Sequence, residues 1–150
     1  MRIHVDADGC PVKPEIFRVA KRYGLEVRVV ANQGVEVPRD PLVEMVLVGA
    51  GLDAADDWIV ANVLADDVVV TADVPLASRC VAKGAAVLHP TGRGFSESDV
   101  GSALAMRDLL ARLREEGQRT RGPPPFTERD RSAFLQALDA SIQKIRRKKP

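Results

Sequence analysis

The sequence has few cysteines, few aromatic residues and no apolar run long enough to cross a bilayer. Two cysteines, Cys10 and Cys80, are too few and too isolated for a disulfide framework, so we expect two reduced thiols. The longest apolar runs have the length of a strand, which excludes a membrane-spanning helix. An acidic pair begins at residue 6, which leaves no room for a secretory signal. These absences predict a cytoplasmic protein with no membrane association.

Two further scarcities limit the sites that the chain can build. Only two histidines occur, His4 is expected to be a core or surface residue, and no His/Cys cluster has the spacing of a zinc site. Aromatic residues make up 4% of the chain, so sequence-specific readout of stacked bases is not indicated. No Ser/His/Asp or Cys/His constellation is present, and neighbouring acids would raise the pKa of the Cys10 thiol, which disfavours a nucleophilic role.

The fold signal is an alternation of strand-sized apolar runs with helical patterns. A chain of 150 residues with 45% apolar and 29% charged residues fits one globular domain. The alternation predicts an α/β fold in which helices flank a mostly parallel sheet of about five strands. Residues 118–126 are predicted to form a proline-rich bend, and residues 146–150 a frayed basic tail. The predicted strands are 2–6, 26–30, 42–49, 67–71 and 85–89, and the predicted helices are 11–22, 54–64, 75–83, 97–116 and 127–145.

Acidic residues follow three of the predicted strands. Because the carboxyl ends of parallel strands meet at one edge of a sheet, we expect these side chains to converge there. The acids are Asp6 and Asp8 at the end of the first strand, Asp53, Asp56 and Asp57 after the third, and Asp73 after the fourth.

Each acid also has a structural alternative. Asp53 and Asp73 precede predicted helices and would serve as caps, and Asp8 precedes a glycine and would serve as a turn residue. Convergence favours a metal site over these structural roles, because two carboxylates about 5 Å apart repel each other by roughly 3 kcal/mol at an effective dielectric of 20. A hard divalent cation such as Mg²⁺ or Mn²⁺ removes that repulsion and prefers oxygen ligands. Such an ion activates water and stabilises charge at phosphorus, which predicts phosphodiester or phosphomonoester hydrolysis.

Several stretches of the chain resemble the YaiI/YqxD family of bacterial PIN-like domain proteins. The resemblance runs in order to about residue 140, with Gly9 at a position where the family more often has alanine. It implies a three-layer PIN-like α/β fold whose members are often Mg²⁺- or Mn²⁺-dependent ribonucleases. The stretches that carry it are IHVDADGCPVKPEIFRVA, GAGLDAADDWIVANV, DVVVTADVPLA, KGAAVLHPTGRGF, RDLLARLREEG and GPPPFTERDRSAF.

The resemblance also implies roles for the acids. Asp6 matches the acid that ends the first strand, Asp8 matches the family's second acid, and Asp56 matches the acid of the Asp-x-x-Ile helix start. Asp73 matches the acid of the Thr-x-Asp element, so these four are the predicted catalytic and metal-binding residues. Asp57 is a weaker candidate for a further metal ligand.

Other residues are expected to contact an RNA substrate. Lys13 in the first helix, Arg93 in a glycine turn and Thr71 of the Thr-x-Asp element are the predicted substrate-binding residues. Arginines between 107 and 121 would track a phosphate backbone or form a solvated helix face. Many PIN nucleases also have a glutamate between the second and third strands, where this chain offers only Glu36 and Glu44.

Three functions remain open at this stage. A metal-dependent, ribonuclease-like phosphodiesterase is the first, and a non-catalytic module that binds RNA or protein is the second. The third is a haloacid dehalogenase-type phosphatase, which also opens on a strand followed by Asp-x-Asp-Gly. That class requires threonine where this chain has Cys10, and a lysine, here Lys83, followed by a late acid pair. The sequence predicts no oligomeric state.

Overall fold

The fold is a three-layer α/β arrangement in a computed structural model that describes residues 1–51, 53–96, 107–109, 111–112 and 126–148. Helices pack on both faces of one six-stranded sheet. In chain order the elements are β1 (Arg2–Asp6), α1 (Lys13–Tyr23), β2 (Glu26–Ala31), β3 (Val43–Leu47), α2 (Ala54–Asn62), β4 (Val68–Val70), α3 (Val74–Ala82), β5 (Ala86–Leu88), β6 (Gly94–Phe95) and α4 (Glu128–Lys148).

The sheet is parallel except at one edge. Its strand order is β3-β2-β1-β4-β5-β6, and only β6 runs antiparallel to its neighbour. The chain builds outward from β1 through β2 to β3 on one side, and from β4 through β5 to β6 on the other. The boundary between β1 and β4 is therefore the topological switch point, where ligands bind in open α/β sheets.

Each face of the sheet has its own apolar core. On one face, Ile16 and Val19 of α1 pack with Phe134 of α4. The other face is covered by α2 and α3, and its core includes Ile59 and Leu76. Strand alternation divides the valines between the two faces, as in β4, where Val69 belongs to one core and both its neighbours to the other.

Local sequence explains where α1 begins and ends. Pro14 occupies the first turn, where its missing N–H has no partner to lose. Gly24 follows the last residue in the left-handed conformation, with φ of 66°, and its N–H bonds to the carbonyls of Ala20 and Lys21. The predicted helix 11–22 thus becomes Lys13–Tyr23 in the structure.

The predicted α/β architecture is confirmed, with two differences at its margins. The strand β6 was not predicted, because two residues carry no periodicity. The prediction of a frayed tail is wrong for residues 146–148, which continue α4. Arg146 holds this last turn, since its guanidinium lies 4.8 Å above the Tyr23 ring and donates a hydrogen bond to the Tyr23 carbonyl.

Other expectations have mixed outcomes. The predicted helix 127–145 is confirmed as part of α4, and its residues Phe134, Leu138 and Ile142 are fully buried in the core. Both cysteines are free and buried. The predicted bend and most of the predicted helix 97–116 lie outside the described residues, and the division of the chain into one domain stays a prediction. Among the described helices, none has the length and hydropathy needed to cross a membrane.

Candidate functional site

Five aspartates line one pocket at the carboxyl edge of the sheet. The pocket has a volume of about 310 Å³ and lies over the switch point between β1 and β4. The convergence predicted from the strand ends is therefore seen for Asp6, Asp8, Asp53, Asp56 and Asp73.

Thr71 connects the acids that follow β1 and β4. Its side chain is buried, and its hydroxyl donates a hydrogen bond to Oδ2 of Asp6 at 2.8 Å. The hydroxyl oxygen of Thr71 also accepts a hydrogen bond from the backbone N–H of Asp73 at 3.0 Å. The sequence predicted a substrate contact for Thr71, but the structure shows a hydroxyl that orients one carboxylate and holds the backbone of the other.

Asp73 is a helix cap as well as a pocket residue. Its Oδ1 accepts a hydrogen bond from the N–H of Leu76 at 2.9 Å, so the capping alternative is confirmed for α3. The cap fixes the direction of the carboxylate, which also lines the pocket. A structural role and a place in the site therefore coexist in one side chain.

Asp8 lies at a turn that directs it toward the end of β2. Its Oδ2 accepts a hydrogen bond from the backbone N–H of Asn32 at 3.2 Å, and Gly9 follows with φ of 77°. Asn32 itself lines the pocket and was not predicted. Its position, directly after a strand, is the same signal that identified the acids.

Asp53 was predicted either to converge with the other acids or to cap a helix, and the capping alternative is wrong. Its backbone has φ of 65° and ψ of 11°, a left-handed conformation, and its side chain makes no capping hydrogen bond. A capping side chain reaches the helix amides from an extended backbone, which Asp53 does not have. Its carboxylate instead lines the pocket.

Asp57 is placed apart from the other acids. Its side chain is 66% exposed and its Oδ1 accepts a hydrogen bond from Nη1 of Arg79 at 3.1 Å. Successive residues of a helix point about 100° apart, so Asp56 can face the pocket while Asp57 faces solvent. The structure thus does not bring this predicted metal ligand to the pocket lining.

The predicted cationic contacts, Lys13 and Arg93, are not among the residues that line the pocket. Lys13 Nζ donates to the carbonyl of Cys10 at 3.0 Å, which ties the first turn of α1 to the acidic loop. Arg93 belongs to the turn between β5 and β6, where its carbonyl accepts from the N–H of His89 at 2.8 Å. Neither Glu36 nor Glu44 reaches the pocket lining, and Glu44 pairs with Arg28 at 3.3 Å.

Burial and mutual repulsion perturb two carboxyls of the pocket. The pKa of Asp56 is raised to about 6, first by burial and then by the charges of Asp73, Asp6 and Asp53. Burial also raises the pKa of Asp6, and the nearby charges add to that, although the Thr71 hydrogen bond opposes the shift. The pocket therefore favours a proton or a cation over a set of uncompensated charges.

Comparisons with known proteins identify relatives over nearly the whole chain. The family described as "Uncharacterized BCR, YaiI/YqxD family" matches residues 4–144. A "UPF0178 protein" of Rhodopseudomonas palustris (strain HaA2) is 58% identical over 149 residues, which cover 99% of this chain and 91% of the relative. "UPF0178 protein Atu1478" of Agrobacterium fabrum (strain C58) is 57% identical over 146 residues, which cover 97% and 95% of the two chains.

A third relative is similar over almost the same length, whereas no match was found among solved structures. "UPF0178 protein R01393" of Rhizobium meliloti (strain 1021) is 57% identical over 145 residues, which cover 97% of this chain and 99% of the relative. No solved structure gives a significant match. Because both the family match and these relatives extend over almost all of the sequence, the chain belongs to the YaiI/YqxD family.

Proposed function

We propose that the protein is a Mg²⁺- or Mn²⁺-dependent phosphodiesterase that cleaves RNA. The observation that carries this proposal is the convergence of five aspartates on one pocket at the switch point of the sheet. Carboxylates placed together without a cation repel one another, and burial together with that repulsion raises the pKa of Asp56 to about 6. The RNA substrate is the class that the resemblance to PIN-like ribonucleases implies.

The donor set fits a hard divalent ion that keeps part of its water shell. Within the described ranges, no three His, Cys, Asp or Glu side chains stand close enough to hold a metal ion between them. Mg²⁺ rarely needs such a cage, because it retains several waters and is commonly held by one or two carboxylates. A pocket of about 310 Å³ leaves room for those waters. Asp6 and Asp73, whose directions Thr71 and the α3 cap fix, would hold the ion.

The residues of the pocket would have different roles in hydrolysis. When bound, the ion would lower the pKa of a coordinated water and stabilise charge on the phosphoryl group. Thr71 keeps the Asp6 carboxylate oriented through its 2.8 Å hydrogen bond. Asp56, with a pKa of about 6, exchanges a proton near neutral pH, so protons should compete with the cation in mildly acidic solution. Asp8 and Asp53 add negative charge at the rim of the pocket.

The test is cleavage of a labelled 20-nucleotide RNA with Mn²⁺, with EDTA as the blank. Asp6→Asn and Asp73→Asn should each lower the rate by about 100-fold, the effect of losing about 2.7 kcal/mol of transition-state stabilisation. Asparagine retains a capping oxygen, so Asp73→Asn should still fold. Asp57→Asn is the matched control, because Asp57 lies outside the pocket lining, and its rate should stay within twofold of wild type. Cleavage that needs no metal, or that all three variants share, would overturn the proposal.

A non-catalytic binding module is the second candidate. It is favoured by the lack of a three-residue ligand group within the described ranges and by the absence of a glutamate from the pocket lining. RNA binding without metal-dependent cleavage would support it. The phosphatase alternative is not favoured, since its required lysine, Lys83, lies at the opposite end of α3 from Asp73, about 14 Å away along a helix of nine residues.

A further inference from the structure

We infer that the end of the molecule opposite the acidic pocket binds the phosphate backbone of single-stranded nucleic acid. This surface, called the basic end below, is independent of the proposed catalytic activity. It is formed by Lys21 and Arg22 of α1 and by Lys144, Arg146, Arg147 and Lys148 of α4.

Packing of α1 against α4 brings these cations together. Near the start of both helices, Arg131 donates to the carbonyl of Pro11 at 2.8 Å and to Glu15 at 3.1 Å. At the other end, Arg146 stacks on Tyr23 and Arg22 pairs with Asp139 at 3.5 Å. The two helices therefore run in the same direction, and their basic last turns share one end of the molecule.

The basic end faces away from the pocket because of how α1 crosses the sheet. This helix begins beyond the carboxyl end of β1, near Asp6, and ends before the start of β2. The strands are parallel, so the end of α1 lies at the amino edge of the sheet. The 21 residues of α4 extend about 30 Å, which separates the two ends of the molecule.

Most of the charge at the basic end is uncompensated. Lys21, Lys144, Arg147 and Lys148 are exposed, and none forms an ion pair with any described residue. Cations at helix C-termini also interact favourably with the helix macrodipole. That effect is confined to the last turn and would explain only a few of these charges. Four basic residues within the last five described positions of α4 exceed what one helix end requires.

Two features next to these cations suit a nucleic acid. A groove of about 250 Å³ lies between α4 and the β5–β6 edge, with Lys144 and Lys148 on its wall and Asp66 as its one acidic lining residue. Arg146, exposed and stacked on Tyr23, presents a planar guanidinium on which a base can stack. Contacts of this kind do not depend on base identity.

A lipid surface fits these observations less well. A helix that lies on a membrane presents an apolar face to the lipid, whereas the apolar residues of α4, such as Leu138 and Ile142, are buried against the sheet. The exposed large apolar side chains among the described residues are Leu47 and Leu64, and neither belongs to α4 or α1.

The experiment is fluorescence anisotropy with a labelled 20-nucleotide oligo(U) in EDTA, which prevents metal-dependent cleavage. The variant Lys144→Ala/Arg147→Ala/Lys148→Ala should bind about 100-fold more weakly at 0.1 M salt. Its slope of log K against log salt should fall by about 2, because each lost phosphate contact to a single strand contributes about 0.7. A melting curve should show that this variant, altered only at exposed positions, remains folded.

A control variant makes the result specific. Arg18→Ala/Arg39→Ala/Arg129→Ala removes the same charge from exposed arginines elsewhere and should bind within about threefold of wild type. Binding is measured in EDTA, where no metal-dependent cleavage occurs, so failure of the catalytic proposal does not affect this one. Equal losses in both triple variants, no loss in the first, or binding to phosphatidylserine vesicles but not to oligo(U) would overturn the inference.

Discussion

Burial, and after it the charges of neighbouring carboxylates at the edge of the sheet, raise the pKa of Asp56 to about 6. A folded-state pKa above the ordinary 3.8 means that the folded protein binds this proton more tightly than the unfolded chain does. The charged Asp56 carboxylate therefore destabilises the fold above pH 6, and this cost disappears below about pH 4. The clustered acids of the pocket therefore lower the stability of the folded protein, a cost that is common at functional sites.

Asp56→Asn should stabilise the metal-free protein at pH 7.5. A shift of about two pKa units corresponds to roughly 3 kcal/mol, which solvent screening at this partly exposed group reduces to about 1 kcal/mol. Urea denaturation in EDTA should show this gain at pH 7.5 and no gain at pH 4. A loss of stability at pH 7.5 would show that the Asp56 carboxylate is not strained by its neighbours.

The hydroxyl of Thr71 contributes more to the stability of the fold than the shape of its side chain does. Thr71→Val should lower the free energy of unfolding by about 1–3 kcal/mol, because it leaves the Asp73 N–H without its partner and removes the hydrogen bond to Asp6. Thr71→Ser retains the hydroxyl and should cost less than the valine variant. Urea denaturation measures the stability of both variants. Equal stability of the two would show that the Thr71 hydroxyl does not stabilise the fold.

At the scale of single residues, the sequence correctly predicted the convergence of five of six acids, with Asp57 as the exception, but not how they are held. Acids directly after parallel strands meet because strand ends do, which the order of the chain reveals. The left-handed backbone of Asp53 was not readable, since aspartate only tolerates that conformation and does not require it. The buried pair of His4 and Asp67, 3.0 Å apart, joins residues 63 positions apart, and no local pattern marks such a partner.

At the scale of elements, the turn between β5 and β6 depends on close contact with α4. Gly92 has φ of 93°, and a Cβ added there would lie 2.8 Å from the backbone carbonyl of Ala133. This contact fixes where α4 begins to cover the sheet, just before the buried Phe134. The glycine is therefore required both by its backbone conformation and by the approach of the helix.

Gly92→Ala should lower the free energy of unfolding by about 3 kcal/mol, from left-handed strain of about 1 kcal/mol plus overpacking. Gly24→Ala is the matched control, because Gly24 also has a positive φ, of 66°, but open space around its Cβ position. That control should lose only about 1 kcal/mol. Equal losses in chemical denaturation would mean that the turn does not pack on α4.

Elements with their own periodicity were predictable, and those that depend on tertiary contact were not. All five predicted strands appear in the sheet, the first with the predicted bounds and the other four with shifted ends. The strand β6 exists only because it pairs with β5. The last turn of α4 is held by Tyr23, which lies 123 positions before Arg146 in the sequence.

At the scale of the whole molecule, a net charge of +1 conceals a separation of charge. The acidic pocket lies at the carboxyl edge of the sheet and the basic end lies at the amino edge. Because exposed charges farther apart than about 10 Å are screened at 0.1 M salt, the two ends should respond to substitution independently. Divalent-ion affinity should therefore be unchanged in the Lys144→Ala/Arg147→Ala/Lys148→Ala variant, which isothermal titration measures, and a tenfold change would show that the ends are coupled.

Isothermal titration of the wild-type protein with Mn²⁺ at pH 7.5 tests the metal proposal most directly, because it requires no choice of substrate. We expect saturable binding that weakens at pH 5, where Asp56 is protonated, and that is at least tenfold weaker in Asp6→Asn. Asp57→Asn, which alters an aspartate outside the pocket lining, should bind within twofold of wild type. Absence of saturable binding at millimolar Mn²⁺, or equal affinity in Asp6→Asn and wild type, would contradict a divalent metal site in the acidic pocket.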